Sequence, residues 1–101
     1  MQEEYRYQHI YERDNFTCQY CGLDCSKDFG IWYTAKLEID HIKPKSLGGT
    51  DEDKNLVVAC HACNHYKQKK NFNSLQEARE GVFKYKQEVA KSWFQKYVLK
   101  R

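Results

Sequence analysis

Apolar and polar positions change their period along the chain. Tyr7, Ile10 and Tyr11 recur at helical spacing among charged neighbours, so residues 2–13 are expected to form a short amphipathic helix ending near Asp14 and Asn15. Residues 18–30 are polar and turn-like. The stretch IWYTAKLEIDHI, residues 31–42, mixes β-branched and aromatic residues in partial alternation. It predicts a strand that runs into Asp40 and His41 and is stopped by Pro44. KSLGGTDEDKN, with two glycines and a run of acids, reads as a loop. LVVA at 56–59 suits a second short strand, and the two strands are expected to pair as a hairpin. CHACNHYKQKK then looks like a knuckle opening into a helix, and Ser74 followed by Glu77 is a capping-box signature for another. In the last helix Val82, Tyr85, Val89, Trp93 and Tyr97 step by three or four residues. That stripe is expected to be core or a dimer contact, with lysines on the remaining faces. Helices around a hairpin place the chain in the α+β class.

Composition narrows the picture. At 101 residues, with 41% apolar and 15% aromatic positions, the expectation is one domain spanning 1–101. The mean hydropathy of −0.93 is low, yet eight Tyr, five Phe and two Trp supply ring surface that disordered chains lack. No stretch approaches the roughly 18 apolar residues of a membrane span, and the amino end is too polar for a secretory signal. An intracellular, cytoplasmic protein is expected. Charge is lopsided: residues 1–63 carry 7 Lys/Arg against 11 Asp/Glu, whereas residues 64–101 carry 10 against 3. A basic carboxyl third is the footprint of a polyanion partner such as nucleic acid, or a solvated helix face.

Five cysteines, an odd number, argue against a disulfide framework and for metal ligation in a reducing compartment. Cys18/Cys21 and Cys60/Cys63 are C-x-x-C pairs, a spacing that turns both thiolates toward one tetrahedral ion. The 38 residues between the pairs exceed the spacer of a simple zinc ribbon, so the closed loop has to contain a structural unit of its own. Four sulfurs leave no place for water, and the zinc would be structural. Cys25 is either a core thiol or a substitute for one of the four.

Between and just after the pairs stand Glu38, Asp40, His41, Asn55 and Asn64. Together with Arg13, Asp14, Phe16, Gly22, Ile42, Pro44, Gly48, Gly49, Leu56 and Lys67, their order and spacing resemble the HNH endonucleases. These are nucleases of the ββα-metal (His-Me finger) type, and the likeness is to the subgroup with a four-cysteine zinc knuckle. The resemblance covers residues 13–70 and leaves 71–101 as a helical extension. It implies an α+β fold with a small ββα-metal core, flanked by an N-terminal helix and C-terminal helices. It also implies DNA as substrate, structural Zn²⁺ and a catalytic Mg²⁺ or Mn²⁺.

The implied chemistry is self-consistent. An imidazole titrates near neutral pH, so His41 suits a general base that takes a proton from water. Asp40 is a hard oxygen ligand for the divalent ion, and Asn64 stands where the family places its second protein ligand. By the same resemblance Asn55 sits across the hairpin and orients His41. Both Asp40 and His41 reach one phosphate only if the strand ends or kinks there, because neighbours in a strand face opposite ways. Glu38 reads as a solvated strand acid, His61 and His65 rank below Asn64 as ligands, and His9 is a helix-surface residue. Lys67, Lys43, Lys45, Lys69 and Lys70 are candidate phosphate contacts, giving backbone binding of low sequence specificity by a monomer or homodimer. The competing expectation is a non-catalytic zinc module that binds nucleic acid or protein.

Overall fold

The computed structural model describes residues 6–67 and 70–100. The expected first helix is seen as α1 (Gln8–Arg13), and the part of that expectation falling on residues 1–5 lies outside the described residues. Ile10 is its fully buried anchor. The chain leaves α1 through Asn15 and Phe16, both with positive φ, and enters the first cysteine pair.

From Phe29 to Ala35 the chain forms a helix, α2, where the sequence pattern predicts strand. Two local signals override the β propensity of Ile31, Trp32 and Tyr33. The Asp28 side chain accepts a hydrogen bond from Ile31 N at 2.8 Å, capping the amino end. Lys36, left-handed at φ 49°, closes the carboxyl end.

Strand β1 is therefore only Glu38–His41, and it pairs antiparallel with β2 (Leu56–Ala59). Glu38 stands opposite Ala59, Asp40 opposite Val57, Ile39 opposite Val58 and His41 opposite Leu56. Residues directly opposite share a face, so the hairpin has two inner surfaces. Leu56 and Val58 pack with Ile10 of α1 on one face. Val57 and Ala59 pack on the other, with Cys18, Tyr20, Cys60, Cys63, Ala78 and Val82. Burying each of the Ile, Leu and Val side chains among these contributes about 1.5–3 kcal/mol.

The outer edge of β2 is covered by side chains. Arg13 donates to Leu56 O at 2.6 Å, and Asp14 Oδ2 accepts from Val58 N at 2.9 Å. The Arg-Asp dipeptide thus satisfies backbone groups that a two-stranded sheet would leave unpaired. The hairpin loop is compact: a Cβ on Gly49 would stand 1.8 Å from Lys43 O, so no other residue fits there.

After β2 come α3 (His61–Lys67) and α4 (Leu75–Tyr85). Ser74 Oγ accepts from Glu77 N at 3.1 Å, so α4 starts where its cap predicts. The helix continues through wider turns at Lys86–Ala90, α5 (Lys91–Phe94) and further wide turns at Gln95–Leu99. Its aromatic stripe is not core. Only Ala78 and Val82 are buried, whereas Trp93 and Tyr97 are 62% and 56% exposed. A stripe at helical period needs a partner surface to be buried, and none of the described residues beyond Tyr85 is buried against one.

Candidate functional site

The four paired cysteines converge. Cys18 and Cys21 lie in the turn after α1, where Gly22, at φ 80°, donates its N–H to Cys18 O at 2.8 Å. Cys60 follows β2 and Cys63 is in the first turn of α3. All four sulfurs lie within 4.8 Å of one another, with Cys21 Sγ 3.9 Å from Cys60 Sγ. A tetrahedral zinc with bonds of about 2.3 Å sets its sulfurs about 3.8 Å apart, so the cluster fits zinc. Without a cation the four thiols cannot all ionise. Hydrogen bonds from Cys21, Cys60 and Cys63 push the Cys18 thiol far down. Its bonds with Cys18, Cys21 and Cys60, then burial, push the Cys63 thiol far up. A dication at the centre removes that conflict by stabilising all four thiolates. Cys25 stands outside the cluster as a buried thiol whose Sγ lies 3.7 Å from Leu23 O, which settles its alternatives in favour of the core.

Because Cys63 starts α3, the next turns of that helix lie over β1. Asn64 donates its Nδ2 to Glu38 Oε1, and His61 Nδ1 lies 2.7 Å from Glu38 Oε2. The Asn64 amide has one sensible orientation, since its oxygen turned to Glu38 would face a carboxylate. Its Oδ1 is buried and has no hydrogen-bond partner among the described residues. Burial works against the charge on Glu38, yet the bonds from His61 and Asn64 prevail and hold its carboxyl below the usual range. Asn64 therefore meets Glu38 directly, where the sequence reading pairs it with Asp40 and leaves Glu38 to solvent.

One turn along α3, Lys67 does not face solvent. It is 1% exposed, and its Nζ donates to His41 O at 2.7 Å and to Asp40 Oδ2 at 3.2 Å. The expected phosphate contact is replaced by a buried counter-ion. Tyr20 completes this set by donating its hydroxyl to the same Asp40 oxygen. Burial, then the charge on Asp40, pushes the Tyr20 phenol well above its ordinary range.

β1 keeps a regular register through His41, without the kink expected at Asp40. Asp40 therefore points toward Tyr20 and Lys67, and His41 toward the opposite face. There His41 Nε2 lies 2.8 Å from Asp51 Oδ1, while Lys45 Nζ lies 3.0 Å from Asp51 Oδ2. The carboxylate only accepts, so Nε2 carries a proton, and in the neutral tautomer that this bond selects the lone pair lies on Nδ1. The bond from His41, then that from Lys45, holds the Asp51 carboxyl below its usual range.

Asn55 makes its side-chain hydrogen bonds to the loop and none to the imidazole. Its Oδ1 accepts from Lys43 N at 2.9 Å, and its Nδ2 donates to Lys43 O at 3.1 Å and to Thr50 O at 2.8 Å. It staples the loop that carries Asp51 and acts on His41 only through that loop. Lys43 and Lys45 are exposed beside it, Lys70 Nζ sits 5.5 Å from the Tyr66 ring centroid, and Lys69 lies outside the described residues. His65 stacks on His61 with ring centroids 6.1 Å apart, and His9 pairs with Asp53 at 3.0 Å on the surface.

Sequence reasoning missed Tyr20 and Asp51. Tyr20 sits inside the first C-x-x-C, where a residue is read as turn, and Asp51 belongs to an acidic run read as solvated loop. The one available signal was that run's position just after Gly48 and Gly49, which fold the loop back on His41.

A family model described as HNH endonuclease matches residues 18–70. No curated protein and no solved structure matches the chain.

Proposed function

The chain belongs to the HNH endonuclease family, and from that premise we propose that it is a metal-dependent DNA endonuclease that hydrolyses phosphodiester bonds. The observation that carries this reading is the buried, unpartnered Oδ1 of Asn64. A buried oxygen without a donor costs about 1–3 kcal/mol, and a hard cation relieves that cost. Asn64 and Asp40 would hold Mg²⁺ or Mn²⁺, with Glu38 beside them on the same face of β1. Both contacts of Asp40 fall on Oδ2, so Oδ1 is the atom it would offer. Bound there, the ion would set positive charge against a substrate phosphate oxygen.

The chain's own work is then the proton. With Nε2–H donated to Asp51, His41 Nδ1 takes a proton from water, whose oxygen bonds to phosphorus as a phosphorus–oxygen ester bond breaks. The departing oxygen takes its proton from a solvent water, and family resemblance implies 5′-phosphate and 3′-hydroxyl ends. His41 and Asn64 lie on opposite sheet faces, so a phosphate served by both sits across the outer edge of β1. Lys43, Lys45 and Lys70 would hold flanking phosphates, a grip that reads no base. A monomer nicks one strand, and a homodimer on one duplex would cut both.

The test is supercoiled plasmid incubated with the protein and Mg²⁺ or Mn²⁺. Open-circular product is expected, and His41→Ala should yield none. A second reading, a non-catalytic zinc module that binds nucleic acid or protein, draws on the engagement of Asp40 by Tyr20 and Lys67. Plasmid left intact across several metals, under conditions where the protein binds DNA, would favour it.

A further inference from the structure

α1 and α2 flank a cleft of about 680 Å³ that the site described above does not use. Its walls are the rings of Tyr7, Tyr11, Phe16, Trp32 and Tyr33, with Lys36 at the rim. Leu37 and Ile39 close it below, and among the described residues no carboxylate lines it. Trp32 and Tyr33 remain 47% and 60% exposed, with Phe29 ring centroids 6.1 and 5.9 Å from theirs. Two cations already stand on those rings. Lys36 Nζ lies 4.7 Å from the centroid of Tyr33, and the Arg6 guanidinium 5.2 Å from that of Tyr7.

We propose that this cleft binds unpaired bases of the nucleic-acid strand that the protein cuts, an inference that rests on the endonuclease reading. Open aromatic faces beside cations are what a strand with unstacked bases recognises, since every base has a π face and every linkage a negative charge. The absence of any lining carboxylate fits that polyanion. It disfavours a second copy of this chain, which would bring Lys36 against its counterpart with nothing to neutralise either.

Position joins the cleft to the catalytic base. Ile39 of the cleft and His41 alternate onto the same face of β1, about 6.6 Å apart along the strand. Because Ile10 of α1 packs on Leu56 and Val58 of that face, a nucleic-acid strand held by the rings would reach the imidazole along its β1 side. Bases stacked inside a duplex offer no free faces. The substrate class is therefore DNA with unpaired nucleotides next to the cut, as at a flap, gap or overhang, or in the transiently melted stretches of a negatively supercoiled plasmid.

The test uses Trp93→Phe, which leaves Trp32 as the sole tryptophan, titrated with an oligothymidine and with a blunt duplex of equal length, without added divalent ion. Quenching of Trp32 by the oligothymidine and little by the duplex is expected. Trp32→Ala/Tyr33→Ala should weaken oligothymidine binding, read by anisotropy of a labelled strand, about tenfold or more while the melting temperature stays unchanged. Nicking with no quenching would overturn the cleft assignment and leave the endonuclease reading standing. Quenching with plasmid intact across metals would support the cleft as a strand-binding site and remove the endonuclease. Equal quenching by the blunt duplex would overturn the requirement for unpaired bases. Sedimentation as a dimer that the double variant dissociates, with no quenching, would give the cleft to a second copy and overturn the proposal.

Discussion

Asp51 and His41 are ten positions apart in the chain and 2.8 Å apart in space, joined through Nε2 of the ring. The contact exists because Gly48 and Gly49 reverse the loop and Asn55 ties its two ends at Lys43 and Thr50. Three residue types that read as loop formers thus build one imidazole orientation. The consequence is a base with its free lone pair on Nδ1.

Asp51→Asn should keep the fold and lower cleavage by about tenfold or more, because the amide no longer fixes the tautomer through its charge. The pH behaviour has a definite sign. The folded-state carboxyl titrates below its ordinary value, so the His41 contact is complete above the usual carboxylate range and is lost as pH falls through that lowered value. A ¹³Cγ titration of Asp51 should show this, and in His41→Ala the midpoint should move up toward the ordinary value. An Asp51 midpoint indifferent to that substitution would contradict the pairing.

Asp40 and Lys67 form a buried pair, 9% and 1% exposed, with Tyr20 on the same carboxylate oxygen. Lys67→Met leaves the carboxylate without its cation and should cost about 3–5 kcal/mol in urea unfolding. Asp40→Leu combined with Lys67→Met removes both charges and should recover most of that loss. A single substitution that is neutral in stability would return Lys67 to the surface role its spacing first gave it.

The zinc cluster makes a sharper prediction, since it ties the turn after α1 to the junction of β2 and α3. Metal analysis should find one zinc per chain. Cys60→Ser, or chelation under reducing conditions, should abolish the cooperative unfolding transition, because binding free energies on the order of 10 kcal/mol rival the stability of a small domain. A Cys60→Ser protein that melts as the parent does would refute the structural role.

What was legible in the sequence was what a short window contains. The cysteine spacing, the Ser74 cap and the apolar LVVA run each carry their own cause, and each appears in place. α2 was hidden because Ile31, Trp32 and Tyr33 favour strand, while the deciding features are the Asp28 cap and the left-handed Lys36. Lys67 was misplaced because helical spacing tells which residues share a face and not what that face meets. Its burial follows from β1 presenting Asp40 without another cation among the described residues. The pairing of Asn64 with Glu38 has the same origin, since it depends on how α3 lies over β1.

The carboxyl-terminal helix is where period and packing part furthest. Val82 is buried and Tyr85 still meets Tyr66, with ring centroids 4.3 Å apart, but beyond Lys86 no described residue is buried. Exposed rings contribute little to folding, so a chain ending at Lys86 should unfold within about 0.5 kcal/mol of the full chain in urea. It should also lose the exposed face of Trp93, Phe94, Tyr97 and Leu99. A large drop in stability would mean that these side chains are covered in solution. That cover would have to come from another copy of the chain, and the melting temperature of the full protein would then rise with its concentration.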